Sequence, residues 1–134
     1  MQLVKAIIEK ASDGGYAVYA PSITGGWGSG LTEDEAKEDF LQVIEELIEY
    51  YQEKNGEFPQ WYQNGYKVEY CYDVSAFFLS FPFINASKFA KEIGINPSLM
   101  RKYKERIAFA GEKQKALMQQ RFNEIINKMN TVQF

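Results

Sequence analysis

The chain has 134 residues, room for one domain or two small ones, and its 46 % hydrophobic and 25 % charged residues exclude a disordered segment. It lacks histidine and has a single cysteine, Cys71, which excludes histidine-based catalytic or metal chemistry and an internal disulfide framework. A net charge of −3 argues against a uniformly basic nucleic-acid protein, and ten Phe, nine Tyr and two Trp supply ample apolar area for a core.

Residues 3–10 are rich in β-branched side chains and residues 16–20 alternate aromatic and small ones, so both read as strands. Ser12-Asp13-Gly14-Gly15 between them is hairpin chemistry. Pro21 ends the second strand. Gly25, Gly26, Gly28 and Gly30 then predict a short third strand or bulge with close backbone approach. Thr32-Glu33-Asp34-Glu35 is a capping box. The helix it opens should turn Ala36, Phe40, Val43, Ile44, Leu47 and Tyr51 inward. Its carboxylates, Glu38, Asp39, Glu45, Glu46, Glu49 and Glu53 among them, read as a solvated acidic face, and Asn55-Gly56 stops it. Residues 58–65 form a loop with Pro59, Trp61 and Tyr62. Residues 66–73 alternate, with Tyr66, Val68, Tyr70 and Tyr72 on one face and Lys67, Glu69, Cys71 and Asp73 on the other, as in a half-buried strand.

After Asp73 the period changes. Ser75 is placed to cap a short helix over 76–79, ended by Pro82. Asn85 should cap a helix over 86–93, and Gly94 suits the left-handed residue that ends it. Ile95 points back inward, and Asn96 or Pro97 starts a second helix running to Arg106, with Met100 and Tyr103 facing in. A last helix over 112–129 should bury Ala116 or Leu117, Phe122, Ile125, Ile126 and Met129. The expected class is α+β: a β-β-β-α-β domain over 1–73 and an all-helical domain over 74–134.

The segment 89–103 has the plan of a helix-turn-helix whose second helix enters a DNA groove. Charge agrees with this. Residues 1–73 hold 5 Lys/Arg and 14 Asp/Glu, a balance of −9, whereas residues 74–134 hold 10 and 4, a balance of +6. Two surfaces with two partners are expected. Asn96, Ser98, Arg101 and Lys102 would face bases or phosphates, with Lys104 and Arg106 on the DNA backbone.

Other chemistry is poorly supported. The glycine-rich segment lacks the Gly-Lys-Ser/Thr of a phosphate loop, and it feeds a helix whose first turn, Glu33 to Glu35, would repel phosphate. No ligand spacing for a metal is visible, Cys71 reads as a buried inert thiol, and no nucleophile stands beside a base. No enzymatic activity, cofactor or metal is expected. The first residues, with Lys5 and Glu9, do not read as a signal peptide. The longest apolar run, 74–84, contains Pro82 and is shorter than the roughly 20 residues of a membrane span. A cytoplasmic protein is expected.

Two stretches carry a family resemblance. Ile7-Ile8-Glu9-Lys10, then Asp13-Gly14-Gly15-Tyr16 leading into a strand that ends at Pro21, then Gly30-Leu31-Thr32-Glu33-Asp34-Glu35-Ala36, resemble the HicB antitoxin family over roughly residues 2–54. The run from Ile84 to Arg101 looks like the helix-turn-helix of one branch of that family. The resemblance implies a degraded ribonuclease H-like N-terminal domain without catalytic carboxylates. It would bind and block HicA, a small basic mRNA-cleaving toxin, while the C-terminal domain, usually as a dimer, binds the operon's own operator. Tyr19, Trp27, Glu38, Glu45 and Glu49 are the residues expected to meet the toxin. Two places depart from the pattern: Gly25-Gly26-Trp27 replaces a common Gly-Cys step, and residues 105–110 replace the usual Gly and Pro after the second helix. A protein-binding inhibitor or orphan module whose tail only dimerises is the alternative. An RNA-binding or residual nuclease activity is the third reading.

Overall fold

The described residues, 1–62 and 64–134 of a computed structural model, form four strands and five helices. They divide into two compact units, Met1–Ser80 and Phe81–Phe134. No described helix is long and apolar enough to cross a membrane.

In the first unit β1 (Gln2–Lys10), β2 (Tyr16–Tyr19), β3 (Trp27–Gly30) and β4 (Tyr66–Tyr72) make one mixed sheet in the order β3-β2-β1-β4. β2 pairs antiparallel with β1 and β3, and β4 pairs parallel with β1. The hairpin turn closes as its residues predict: Asp13 Oδ1 accepts from Gly15 N at 2.9 Å, and Gly14 takes φ +92°. Val4, Ala6 and Ile8 of β1 and Tyr16 and Val18 of β2 face one side and are buried. That side is covered by α1 (Glu33–Asn55), whose Ala36, Phe40, Ile44 and Ile48 complete the core. Full burial of a side chain such as Phe40 or Ile44 contributes about 1.5–3 kcal/mol.

The glycines of β3 set how closely α1 can approach. A Cβ on Gly28 would lie 2.3 Å from Phe40 N, and one on Gly30 would lie 2.6 Å from Ala36 N. The capping box forms with a shifted return bond. Thr32 Oγ1 accepts from Glu35 N at 3.1 Å, but Glu35 Oε2 accepts from Leu31 N rather than from the cap residue itself.

Several expectations change in this unit. The buried stripe of α1 runs through Ile48, while Tyr51 is 37 % exposed, because a stripe at four-residue spacing drifts round the helix. Tyr72 is also exposed, at 44 %, near the end of the sheet. Cys71 is half-buried rather than buried, because it points away from α1 and sits beside Ile7. The short helix α2 (Val74–Ser80) is capped by Asp73, whose Oδ2 accepts from Ser75 N at 3.1 Å. Ser75 is therefore inside the helix and 1 % exposed, its Oγ accepting from Lys10 N at 3.1 Å. These bonds join α2 to the sheet, so the compact unit extends past Asp73 to Ser80.

The second unit holds α3 (Ala86–Ile93), α4 (Pro97–Lys104) and α5 (Glu112–Met129). Its core is Ala86, Ala90, Ile93, Ile95, Met100 and Tyr103. The last helix differs from expectation: no α5 residue is buried, Ile126 is 38 % exposed and Met129 is 61 % exposed. Within the unit α5 meets α3, where Phe122 packs edge-to-face on Phe89 with centroids 6.4 Å apart. The rest of its apolar stripe, Leu117, Met118 and Ile125, is half-buried at most.

Candidate functional site

The helical unit presents a tight two-helix corner. Asn85 Oδ1 caps α3 by accepting from Lys88 N at 2.9 Å. At the other end Gly94 takes φ +78°, which a side chain would strain, and Ile95 N donates to Ala90 O at 2.9 Å. That six-to-one bond turns the chain and drives Ile95 into the core. Asn96 Oδ1 then accepts from Ser98 N at 2.8 Å and Leu99 N at 3.3 Å, so capping occupies its oxygen and leaves only its amide N–H groups for a ligand. Pro97 fills the first helical position.

The outer side of α4 carries Ser98, Arg101, Lys102 and Lys104, all exposed. Arg101 is oriented by two hydroxyls, donating to Ser87 Oγ of α3 at 2.9 Å and to Ser98 Oγ at 3.1 Å. Arg106 lies elsewhere than expected. α4 ends at Lys104, Arg106 adopts φ +61°, and its half-buried guanidinium sits 5.7 Å from the Phe109 ring. Ile107 N donates to Lys102 O and Arg106 N to Tyr103 O, so Arg106 occupies the left-handed place where glycine usually ends a helix.

In the sheet unit the five residues expected to meet a protein partner fall on two opposite faces. Tyr19 and Trp27 are directly paired across β2 and β3, on the side away from α1, in one row with Ile7 and Cys71. Trp27 is 52 % exposed. Glu38, Glu45 and Glu49 form one exposed stripe on α1, seven and four residues apart. Glu45 also accepts a hydrogen bond from Tyr66 Oη at 2.8 Å. Burial, and then this bond, push the Tyr66 phenol well above its ordinary range.

Other α1 carboxylates are structural rather than solvated. Asp39 Oδ2 accepts from Ser29 N at 2.8 Å and pins β3 to the helix. Glu33 accepts from Tyr72 Oη and, at 3.0 Å, from Ser80 Oγ, and pairs with Lys37 at 3.0 Å. Ser80 Oγ lies 2.9 Å from Tyr16 Oη. Burial raises the Glu33 carboxyl, but the bonds from Tyr72, Lys37 and Ser80 outweigh it and hold the group below its ordinary value. Among the described residues no group of three or more His, Cys, Asp or Glu is placed to hold a metal ion.

No family model, curated protein or solved structure matches this chain. The functional reading therefore rests on the two surfaces just described.

Two features escaped the sequence reading. One is Ser87, which orients Arg101 from a different helix. The other is an open cavity of about 540 Å³ lined by Tyr51, Glu57, Phe58, Trp61 and Tyr62, with Pro59 and Gln60. Its signal was present in the density of aromatics over 58–62.

Proposed function

We propose that the chain is an antitoxin of the HicB type, which neutralises a basic mRNA-cleaving toxin by direct binding and represses its own operon through operator DNA. In this reading the first unit is a degraded ribonuclease H-like domain, and α3 and α4 are a helix-turn-helix. The strand order β3-β2-β1-β4, with one parallel pair and α1 across one face, supports the first assignment. The observation that carries the second is the α3–α4 corner itself. Its turn at Gly94 leaves Arg101 and Lys102 exposed on the outer helix of a unit with a charge balance of +6. The sheet unit, at −9, is suited to a basic protein partner. No catalytic step is assigned.

A dimer follows from the same reading. Met118, Phe122, Ile125 and Met129 recur at four-three-four spacing on α5 and are not buried, which suits pairing with a second copy. Such a dimer would meet half-sites about 34–36 Å apart. The same stripe also supports the alternative in which the tail dimerises without touching DNA.

A mobility-shift assay on DNA upstream of the protein's own reading frame separates the two. Retardation at low salt that weakens in Arg101→Ala/Lys102→Ala is expected. No retardation in a chain that still neutralises the product of the adjacent reading frame would favour the dimerising module. Failure of both would sink the antitoxin reading.

A further inference from the structure

The open cavity beside α1 combines aromatic residues with a carboxylate. Four aromatic residues, Tyr51, Phe58, Trp61 and Tyr62, are among its lining residues, Glu57 adds a carboxylate, and its described lining includes no Lys or Arg. Its walls are held by ring–ring contacts. Trp61 packs on Tyr62 at 6.3 Å and on Tyr66 at 6.2 Å between centroids, and Phe58 lies 5.1 Å from Tyr62. Trp61 and Tyr62 also rest against the main core, so the rings are anchored on a rigid base. Tyr62 N donates to Pro59 O at 2.9 Å and closes the loop that carries them.

Tyr51 and Phe58 are nevertheless 37 % and 46 % exposed, so both side chains remain open to a ligand. An aromatic face attracts a cation through its quadrupole, and a nearby carboxylate adds a Coulomb term of the same sign. The unit already uses such contacts internally: Lys37 Nζ lies 4.7 Å from the Tyr70 centroid and Lys54 Nζ 5.7 Å from that of Tyr50. The first unit as a whole carries a balance of −9, which favours association with basic partners.

We propose that this cavity receives an arginine or lysine side chain projected by a basic protein partner, making it an anchor point of the first unit's binding surface. It rests on the reading of that unit as the arm that grips a basic protein. It adds a site remote in sequence from Tyr19 and Trp27 and places recognition on the loop between α1 and β4.

The test uses the full chain carrying Trp27→Phe, so that Trp61 is the sole tryptophan reporter. N-acetylargininamide and N-acetyllysinamide are titrated against its fluorescence, with neutral N-acetylnorleucinamide as the control. The cationic probes should saturate with half-points on the order of millimolar, as for a single side chain without its protein context. The neutral probe should bind at least about fivefold more weakly. Tyr51→Leu and Phe58→Leu, checked for fold by circular dichroism, should abolish the response, and Glu57→Gln should weaken it. Equal binding of the neutral probe, or no saturable response, overturns the proposal. A Tyr51→Leu/Phe58→Leu chain that keeps Trp27 and holds the toxin as tightly as the unaltered chain also overturns it, while leaving the antitoxin reading intact. Selective probe binding by a chain that retains no basic toxin at all supports the cation site and sinks the antitoxin reading instead.

Discussion

Arg101 of α4 donates to Ser87 Oγ of α3 at 2.9 Å, so one guanidinium spans the first turns of both helices. A second bond, to Ser98 at 3.1 Å, uses another of its donors. Helix N-termini carry partial positive charge, which makes this a costly place for a cation unless an anion comes to it. Arginine has five donors, so most remain for a phosphate or a base edge.

In the proposed DNA-binding role, Arg101→Ala/Lys102→Ala should weaken binding to all sequences. It should also reduce the slope of log affinity against log salt by about 2, one for each lost phosphate contact. Fluorescence anisotropy of a labelled duplex over a salt series measures this. An unchanged slope would mean that neither residue meets the backbone.

Arg106 pays for its left-handed conformation, which an L side chain adopts at a cost of about 1 kcal/mol or more relative to glycine. Arg106→Gly and Arg106→Ala both lose the contact with Phe109, so their difference isolates the backbone. The glycine variant should be more stable by about 1 kcal/mol in urea denaturation. Equal midpoints would refute strain at this position.

Gly28→Ala should be severe. The added carbon would come within 2.3 Å of Phe40 N and 2.6 Å of Phe40 Cα, both backbone atoms that cannot rotate away. α1 would have to lift from β3 and loosen Phe40 and Ile44. A loss of about 3 kcal/mol is expected, seen as a drop in Tm of the first unit.

The Glu33 network links stability to pH at both ends. Glu33 titrates below its ordinary value in the folded state, so its contribution is present above that value and fades as acid protonates it. Tyr72 titrates above its ordinary range because of burial and its bond to Glu33, so its contribution holds up to about pH 10 and fades as the solution becomes more alkaline. Tyr72→Phe should flatten the alkaline limb of a Tm–pH profile, and Glu33→Gln the acid limb. Profiles parallel to that of the unaltered chain would show that the network carries no linkage.

Ile125→Glu/Met129→Glu should halve the mass seen by light scattering if α5 pairs with a second copy. Met129 is 61 % exposed and Ile125 is half-buried, so the charge displaces no fully buried residue. A mass unaffected by the change would place the dimer contact, if one forms, elsewhere.

Local chemistry was legible in the chain. The Asp13-Gly14 turn, the Thr32–Glu35 cap, the Asn85 and Asn96 caps and the Gly94 stop all formed where their residues predict. Each depends on partners only a few positions apart, and so each is written in a short window of sequence. Ser75 shows how narrow that window is. A serine two residues after Asp73 had to yield the cap to it, and Lys10, distant in sequence, claimed its hydroxyl.

By itself the sequence determined the element order, the acidic and basic halves and the tight corner between α3 and α4. Backbone preference, capping and net charge need no distant contact. Tertiary structure decided the rest. Pairing of β2 with β3 set Tyr19 and Trp27 side by side, on the face opposite Glu38, Glu45 and Glu49. Packing turned Glu33, Asp39 and Glu45 from an apparent solvated stripe into hydrogen-bond acceptors. It also gathered Tyr51 with Phe58, Trp61 and Tyr62 around a cavity and left α5 without a buried residue. Periodicity gives the direction of a side chain from its own helix or strand, but burial and partnership depend on which other element arrives there.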